Sequence, residues 1–102
     1  MLCIHIYVPT ADNTGHERCD VLHAARNILH AAAGGSTLHG PAVGFWTDPR
    51  TDTVYLEGVR VLEVVAEDTP DLRAAVAEAK ALIARELAQI SVFVTAHKVE
   101  IW

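Results

Sequence analysis

With only two cysteines, Cys3 and Cys19, in 102 residues, the chain has no disulfide framework and has to fold around a hydrophobic core. It contains no CxxC pair, which removes the familiar redox and zinc-ribbon motifs. Both thiols are expected to be buried or half-buried. Basic residues are also few, eight Lys and Arg against thirteen Asp and Glu, for a formal charge of −5. They are scattered, whereas a protein that binds a nucleic-acid backbone needs a basic stripe to release counterions. No nucleic-acid polymer is therefore expected as a partner. No apolar run approaches the ~20 residues of a membrane span. The N-terminus has no basic segment followed by an apolar stretch and a small-residue cleavage site. The expectation is one domain over residues 1–102, soluble and cytoplasmic, with no membrane partner.

Apolar residues make up 51% of the chain, enough for a single core at this length. Leu2 to Val8 alternates with a period of two, placing Leu2, Ile4, Ile6 and Val8 on one side and Cys3, His5 and Tyr7 on the other. That is a strand with one apolar face. From Glu17 to Ala33 the apolar residues recur at three- and four-residue steps, and Gly34-Gly35 supplies a helix stop. Ala42 to Thr47 reads as a strand, Asp48 to Asp52 as a hairpin connection, and Thr53 to Val65 as a second, long strand. Gly58 inside it signals either a bulge or a close backbone approach. Thr69-Pro70-Asp71 is a helix start, with Thr as N-cap and Pro at the first helical position. The helix runs through Ala88, and Ile90 to Thr95 forms the last strand.

Strand, helix, strand, strand, helix, strand is the split βαβ order. It predicts an α+β, ferredoxin-like βαββαβ sandwich, with a four-stranded antiparallel sheet and both helices on one face. The other face carries Cys3, His5, Tyr7, Ser91, Phe93 and Thr95, and no third layer remains to cover it. Such a face either packs on a second copy, giving a homodimer, or lines a ligand cleft.

Four of the six glycines fall between Gly34 and Gly44, beside His39 and Trp46. The spacing is not that of a phosphate loop. Gly34 and Gly35 are accounted for by helix termination, while Ser36 and Thr37 could form a small anion nest. Trp46 is either a packing anchor or a platform for a planar ligand. Glu57 stands in a strand pattern that favours apolar residues, so a half-buried carboxylate there needs a partner or a function. Arg60 is the nearest cation in sequence, on the opposite face unless Gly58 forms a bulge. Of six histidines, His5, His39 and His97 are the candidates for convergence, but no HxH, HxxxH or HExxH spacing exists. Neither a metal site nor a cofactor is expected. Gln89, at the helix-to-strand junction, reads most plainly as a cap. The candidate ligand-binding set is Thr37, His39, Trp46, Glu57, Arg60, His5 and Tyr7.

Gly34-Gly35-Ser36-Thr37, Gly44-Phe45-Trp46, Glu57 and Gln89-Ile90-Ser91-Val92 together resemble a superfamily of short bacterial proteins built on a domain of unknown function. One branch is often found in exported lipoproteins, and another consists of compact cytoplasmic proteins carried on plasmids and phages; with no export signal visible, this chain is similar to the second. The resemblance implies the ferredoxin-like fold and a mobile-element setting, and supplies no reaction. Ser91 stands where many relatives have Glu or another polar residue, so it supports no role built on a carboxylate. Three functions fit these residues. The first is a binding module for a small, nucleotide-like molecule, acting in phage–host or plasmid–host conflict. The second is a small dimeric enzyme using His5, Tyr7 and Glu57 in a shared cleft. The third is a protein–protein interaction module.

Overall fold

The computed structural model describes all of residues 1–102. The elements follow the expected order: β1 (Leu2–Pro9), α1 (Cys19–Ala33), β2 (Thr37–Thr47), β3 (Val54–Ala66), α2 (Pro70–Glu86) and β4 (Val94–Lys98). They form one four-stranded sheet of order β2-β3-β1-β4, antiparallel throughout. This is the ferredoxin-like arrangement, and the chain has that fold.

Period-two alternation builds the core. Ile4, Ile6 and Val8 of β1 and Leu62 and Val64 of β3 are all buried, and they pack with Val21, Leu22, Ala25 and Leu29 of α1. From α2 come Leu72, Ala75, Ala79 and Ile83, followed by Leu87. Burying each Leu or Ile side chain contributes about 1.5–3 kcal/mol. The end of α1 and the start of α2 are as the sequence indicates, whereas α2 stops at Glu86 and not at Ala88. Gly34 takes φ +80° and its N–H donates to His30 O, a left-handed cap that a side chain would strain. At the start of α2, the Thr69 hydroxyl accepts from Leu72 N at 3.1 Å, with Pro70 in the first turn.

Two strand boundaries and the burial of one cysteine differ from the sequence reading. The last strand is Val94–Lys98, not Ile90–Thr95. Ala88 turns the chain at φ +52°, and 90–93 run alongside the sheet without joining the strand, apart from Phe93 O accepting from Tyr7 N. The phase nevertheless holds, with Val94 packed against the core and Thr95 opposite His5. β2 begins at Thr37, five residues earlier than expected. Cys19 is exposed at the start of α1, while Cys3 is buried.

The break in regularity lies on β2, not at Gly58. His39 pairs with Val61 but Ala42 pairs with Val59, so β2 carries one extra residue there. Gly40 adopts φ +117°, open to glycine and poorly accessible to other residues. Gly58 satisfies the other reading, a close approach: a Cβ there would lie 2.9 Å from Thr10 Oγ1. The Thr10 N–H and hydroxyl both donate to Gly58 O.

Beyond this bulge, past the last β1 pairing at Val59, residues 43–47 and 54–58 continue as a two-stranded arm. β2 makes its contacts chiefly with β3. The molecule is correspondingly elongated, 43 × 24 × 23 Å. Val43, Phe45, Trp46, Val54, Tyr55 and Leu56, six of the eleven exposed large apolar residues, all sit on this arm. Asp48 stabilises its tip: its carboxylate accepts from the Arg50 backbone N–H and guanidinium at 2.9–3.1 Å.

Candidate functional site

On the face away from the helices, three strands bring chemistry-bearing side chains together. The β1–β3 register sets His5 opposite Glu63 and Cys3 opposite Val65, while Thr37 of β2 lies across from Glu63 on its other side. His5 Nε2 donates to Glu63 Oε1 at 2.7 Å. The Cys3 thiol donates to the same oxygen at 3.6 Å and lies 3.7 Å from His5 Nε2. His39 Nε2 stands 3.6 Å from the other carboxylate oxygen, Oε2. Across β1, His97 is opposite Cys3, and its ring centroid is 6.0 Å from that of His5. His5, His39 and His97 therefore do gather, around one carboxylate and one thiol.

The electrostatics of the cluster follow from this geometry. The hydrogen bond from His5, aided by Cys3 and His39, holds the Glu63 carboxyl below its ordinary range. Burial, then the Glu63 charge, pushes the Cys3 thiol up. Beside the cluster, a shallow depression of about 270 Å³ is lined by Ala33, Gly34, Gly35, Ser36, Thr37, Glu63 and Val65. An anion nest at Ser36 and Thr37 would face the Glu63 carboxylate across this depression, so the sequence reading of an anion site loses its electrostatic basis.

The second grouping lies on the arm. Because β2 carries an extra residue, the pairs Trp46–Tyr55 and Gly44–Glu57 fall on the same face as Glu63 and His39. Trp46 and Tyr55 stack at 4.8 Å with an interplanar angle of 20°. Glu57 is half-buried, and burial alone acts on it, raising its carboxyl above the ordinary range. No hydrogen bond or cation offsets that penalty. The pairing with Arg60 fails because β3 runs without a bulge and the two residues face opposite sides. Arg60 instead reaches across β2 to donate from Nε to His39 O.

The seven sequence candidates thus divide. Thr37, His39 and His5 meet around Glu63. Trp46 and Glu57 share the arm; Glu57 is six residues along β3 from Glu63 and hence about 20 Å away at 3.3 Å per residue, and Trp46, opposite Tyr55, lies further out. Tyr7 packs its ring on Phe93 at 5.2 Å, between these groups. Arg60 braces the bulge. Cys3 and Glu63 were missing from the candidate set. Their signal was faint, a thiol and a carboxylate at outward positions of two central strands. Gln89 behaves as the plain reading holds, its side-chain amide donating to Leu87 O.

No protein-family model and no curated protein matches the chain. Among solved structures, it is similar to a phage SAM lyase in complex with S-methyl-5'-thioadenosine. That likeness has a TM-score of 0.68 and 16% identity, and covers 95% of this chain and 80% of the other. The apo state of a phage SAM lyase aligns with a TM-score of 0.63 and 13% identity over 94% of this chain and 78% of that one. At such identities the agreement is one of fold.

Proposed function

We propose that this chain binds a small nucleoside-type ligand, of the S-methyl-5'-thioadenosine and S-adenosylmethionine class, on the arm. The observation that carries the reading is the stacked Trp46–Tyr55 pair on the same face as a half-buried Glu57 with no partner of its own. A purine has a flat π-face, and stacking on an aromatic platform contributes about 1–3 kcal/mol per base. Glu57 supplies what a ribose hydroxyl or a sulfonium needs, an acceptor or a negative charge not already engaged. A sulfonium is also drawn to aromatic faces as other cations are. The likeness to a ligand-bound phage enzyme supports the same ligand class and the mobile-element setting that the sequence resemblance implies.

The site is completed by a second copy. The surface depressions of a single chain are open, and both sides of the arm expose large apolar residues. An isolated two-stranded ribbon is marginal in water, so cover from a symmetric partner across the open sheet face stabilises the arm and encloses the ligand.

A second reading is catalytic, and the raised Glu57 carboxyl favours it, since a proton acceptor works best with a pKa drawn towards the working pH. Cleaving the sulfonium C–S bond leaves the electron pair on sulfur and releases the neutral thioether. The amino-acid fragment then loses a proton to Glu57 or closes through its own carboxylate. Neither route consumes water.

Tryptophan fluorescence and melting temperature, measured with S-adenosylmethionine and with S-methyl-5'-thioadenosine, test the binding. Ligand at 100 times its Kd stabilises the folded state by about 2.7 kcal/mol. If neither ligand moves either signal, the reading fails. Chromatography of the S-adenosylmethionine incubation separates the two versions. Thioether product that is lost in Glu57→Gln, with binding retained, supports catalysis. Binding without product leaves a sequestering module.

A further inference from the structure

The structure assigns a second, separate site to this protein: we infer that Cys3, His5, Glu63 and His39 form a binding site for a divalent transition-metal ion of the zinc class on the open sheet face. It stands about 20 Å along β3 from Glu57 and is independent of the ligand reading.

The donor atoms of Cys3, His5 and Glu63 lie within 4.8 Å of one another. Zinc holds thiolate sulfur at about 2.3 Å and imidazole nitrogen or carboxylate oxygen at about 2.0–2.1 Å, tetrahedrally. Those bonds make the edges of the tetrahedron about 3.5 Å between sulfur and a nitrogen or oxygen, and about 3.3 Å between nitrogen and oxygen. The observed S–N separation is 3.7 Å and the S–O separation 3.6 Å. His39 Nε2 stands 3.6 Å from the other Glu63 carboxylate oxygen, Oε2, just outside the three-donor group, and its side chain swings inward to become the fourth ligand. Among the three edges of the Cys3–His5–Glu63 group, the His5–Glu63 contact, a 2.7 Å hydrogen bond, is the one that is too short. It lengthens by about 0.6 Å to reach the zinc edge, when the proton between the two groups gives way to the ion.

The donor chemistry selects the metal. One thiolate, two imidazoles and a carboxylate suit zinc and its neighbours, and suit magnesium or calcium poorly. The scaffold is rigid where it matters: Cys3 and His5 sit on a central strand, Glu63 on its paired neighbour, and His39 on the next strand just before the bulge. Cys3 is 5% exposed, so the ion would approach from the side of His39, which is half exposed. His97, with its ring 6.0 Å from His5, flanks the same opening.

The test uses the purified chain freed of metal, titrated with Co²⁺ and then Zn²⁺. One equivalent of Co²⁺ is expected to bind with tetrahedral visible bands and a thiolate-to-cobalt charge-transfer band, displaced by one equivalent of Zn²⁺. Cys3→Ser is expected to abolish the charge-transfer band, with circular dichroism showing the fold intact. His5→Ala and His39→Ala are each expected to weaken Zn²⁺ by more than about 100-fold, beyond the 10–100-fold typical of residues that only support ligands. Absence of stoichiometric binding, or a charge-transfer band that survives Cys3→Ser, overturns the assignment. Should Cys3→Ser fail to fold, the exposed His39→Ala decides alone, and unchanged Zn²⁺ affinity in it refutes the four-ligand site.

Discussion

Two glutamates on one strand face are tuned in opposite directions, and stability should record the difference. Glu63 is held below its ordinary range by hydrogen bonding, foremost from His5. Its stabilising effect is full above the unfolded carboxylate value, ~4.3, and is lost as pH falls through the lower folded value. Glu57 is raised by burial. In its case the folded state holds a proton that the unfolded state has released, so stability falls as pH rises from the unfolded value through the folded one. Glu57→Gln is therefore expected to melt higher than the parent at pH 7, with the gap closing as pH drops into the carboxylate range. Glu63→Gln is expected to melt lower at pH 7 and to show a flatter acid limb. Melting curves at a series of pH values check both, and a Glu57→Gln variant less stable than the parent at pH 7 would contradict an unpartnered carboxylate.

At the scale of elements, local rules carried most of the information. Thr69-Pro70 marked the start of α2, and the Thr69 hydroxyl caps Leu72 N. Thr69→Ala is expected to lower stability by about 1 kcal/mol in denaturant melts, the usual loss for such a cap. The strands of the core were legible because their alternation is strict. β2 was not, for a definite reason. By simple alternation His39 shares a face with Phe45 and opposes Trp46, yet the extra residue near Gly40 reverses that relation downstream. A bulge leaves no trace in periodicity beyond a glycine, and Gly58 offered an equally good glycine on the neighbouring strand. The His–Cys–Glu cluster was illegible for a different reason. Its members lie 58 and 60 residues apart and meet only through strand register. β4 was displaced because Ile90 and Val92 look like strand residues, although the left-handed turn at Ala88 delays pairing until Val94.

At the scale of the whole molecule, the body and the arm differ in kind. The body closes its core with both helices, and no helix is long and apolar enough to cross a membrane. The arm has a ladder and no core. The proposed cover by a second copy would make oligomeric state sensitive to substitutions that leave the body alone. Trp46 and Tyr55 are exposed cross-strand partners on the open sheet face. Replacing them together, Trp46→Lys with Tyr55→Glu, keeps a favourable pair across the ladder while removing apolar surface. Sedimentation is expected to show a dimer in the parent and a monomer of unchanged helix content in the double variant; a parent that sediments as a monomer refutes the dimer. The bulge adds a consequence of its own for how such a protein can diversify. Because the extra residue resets the phase of β2 at the base of the arm, residues added or removed in matched pairs on both strands beyond it change the reach of the arm while every side chain keeps its side. A single-residue change on one strand turns that strand's outer part over. Lineages built on this plan should accordingly vary in arm length by even steps per strand, with the body's register untouched.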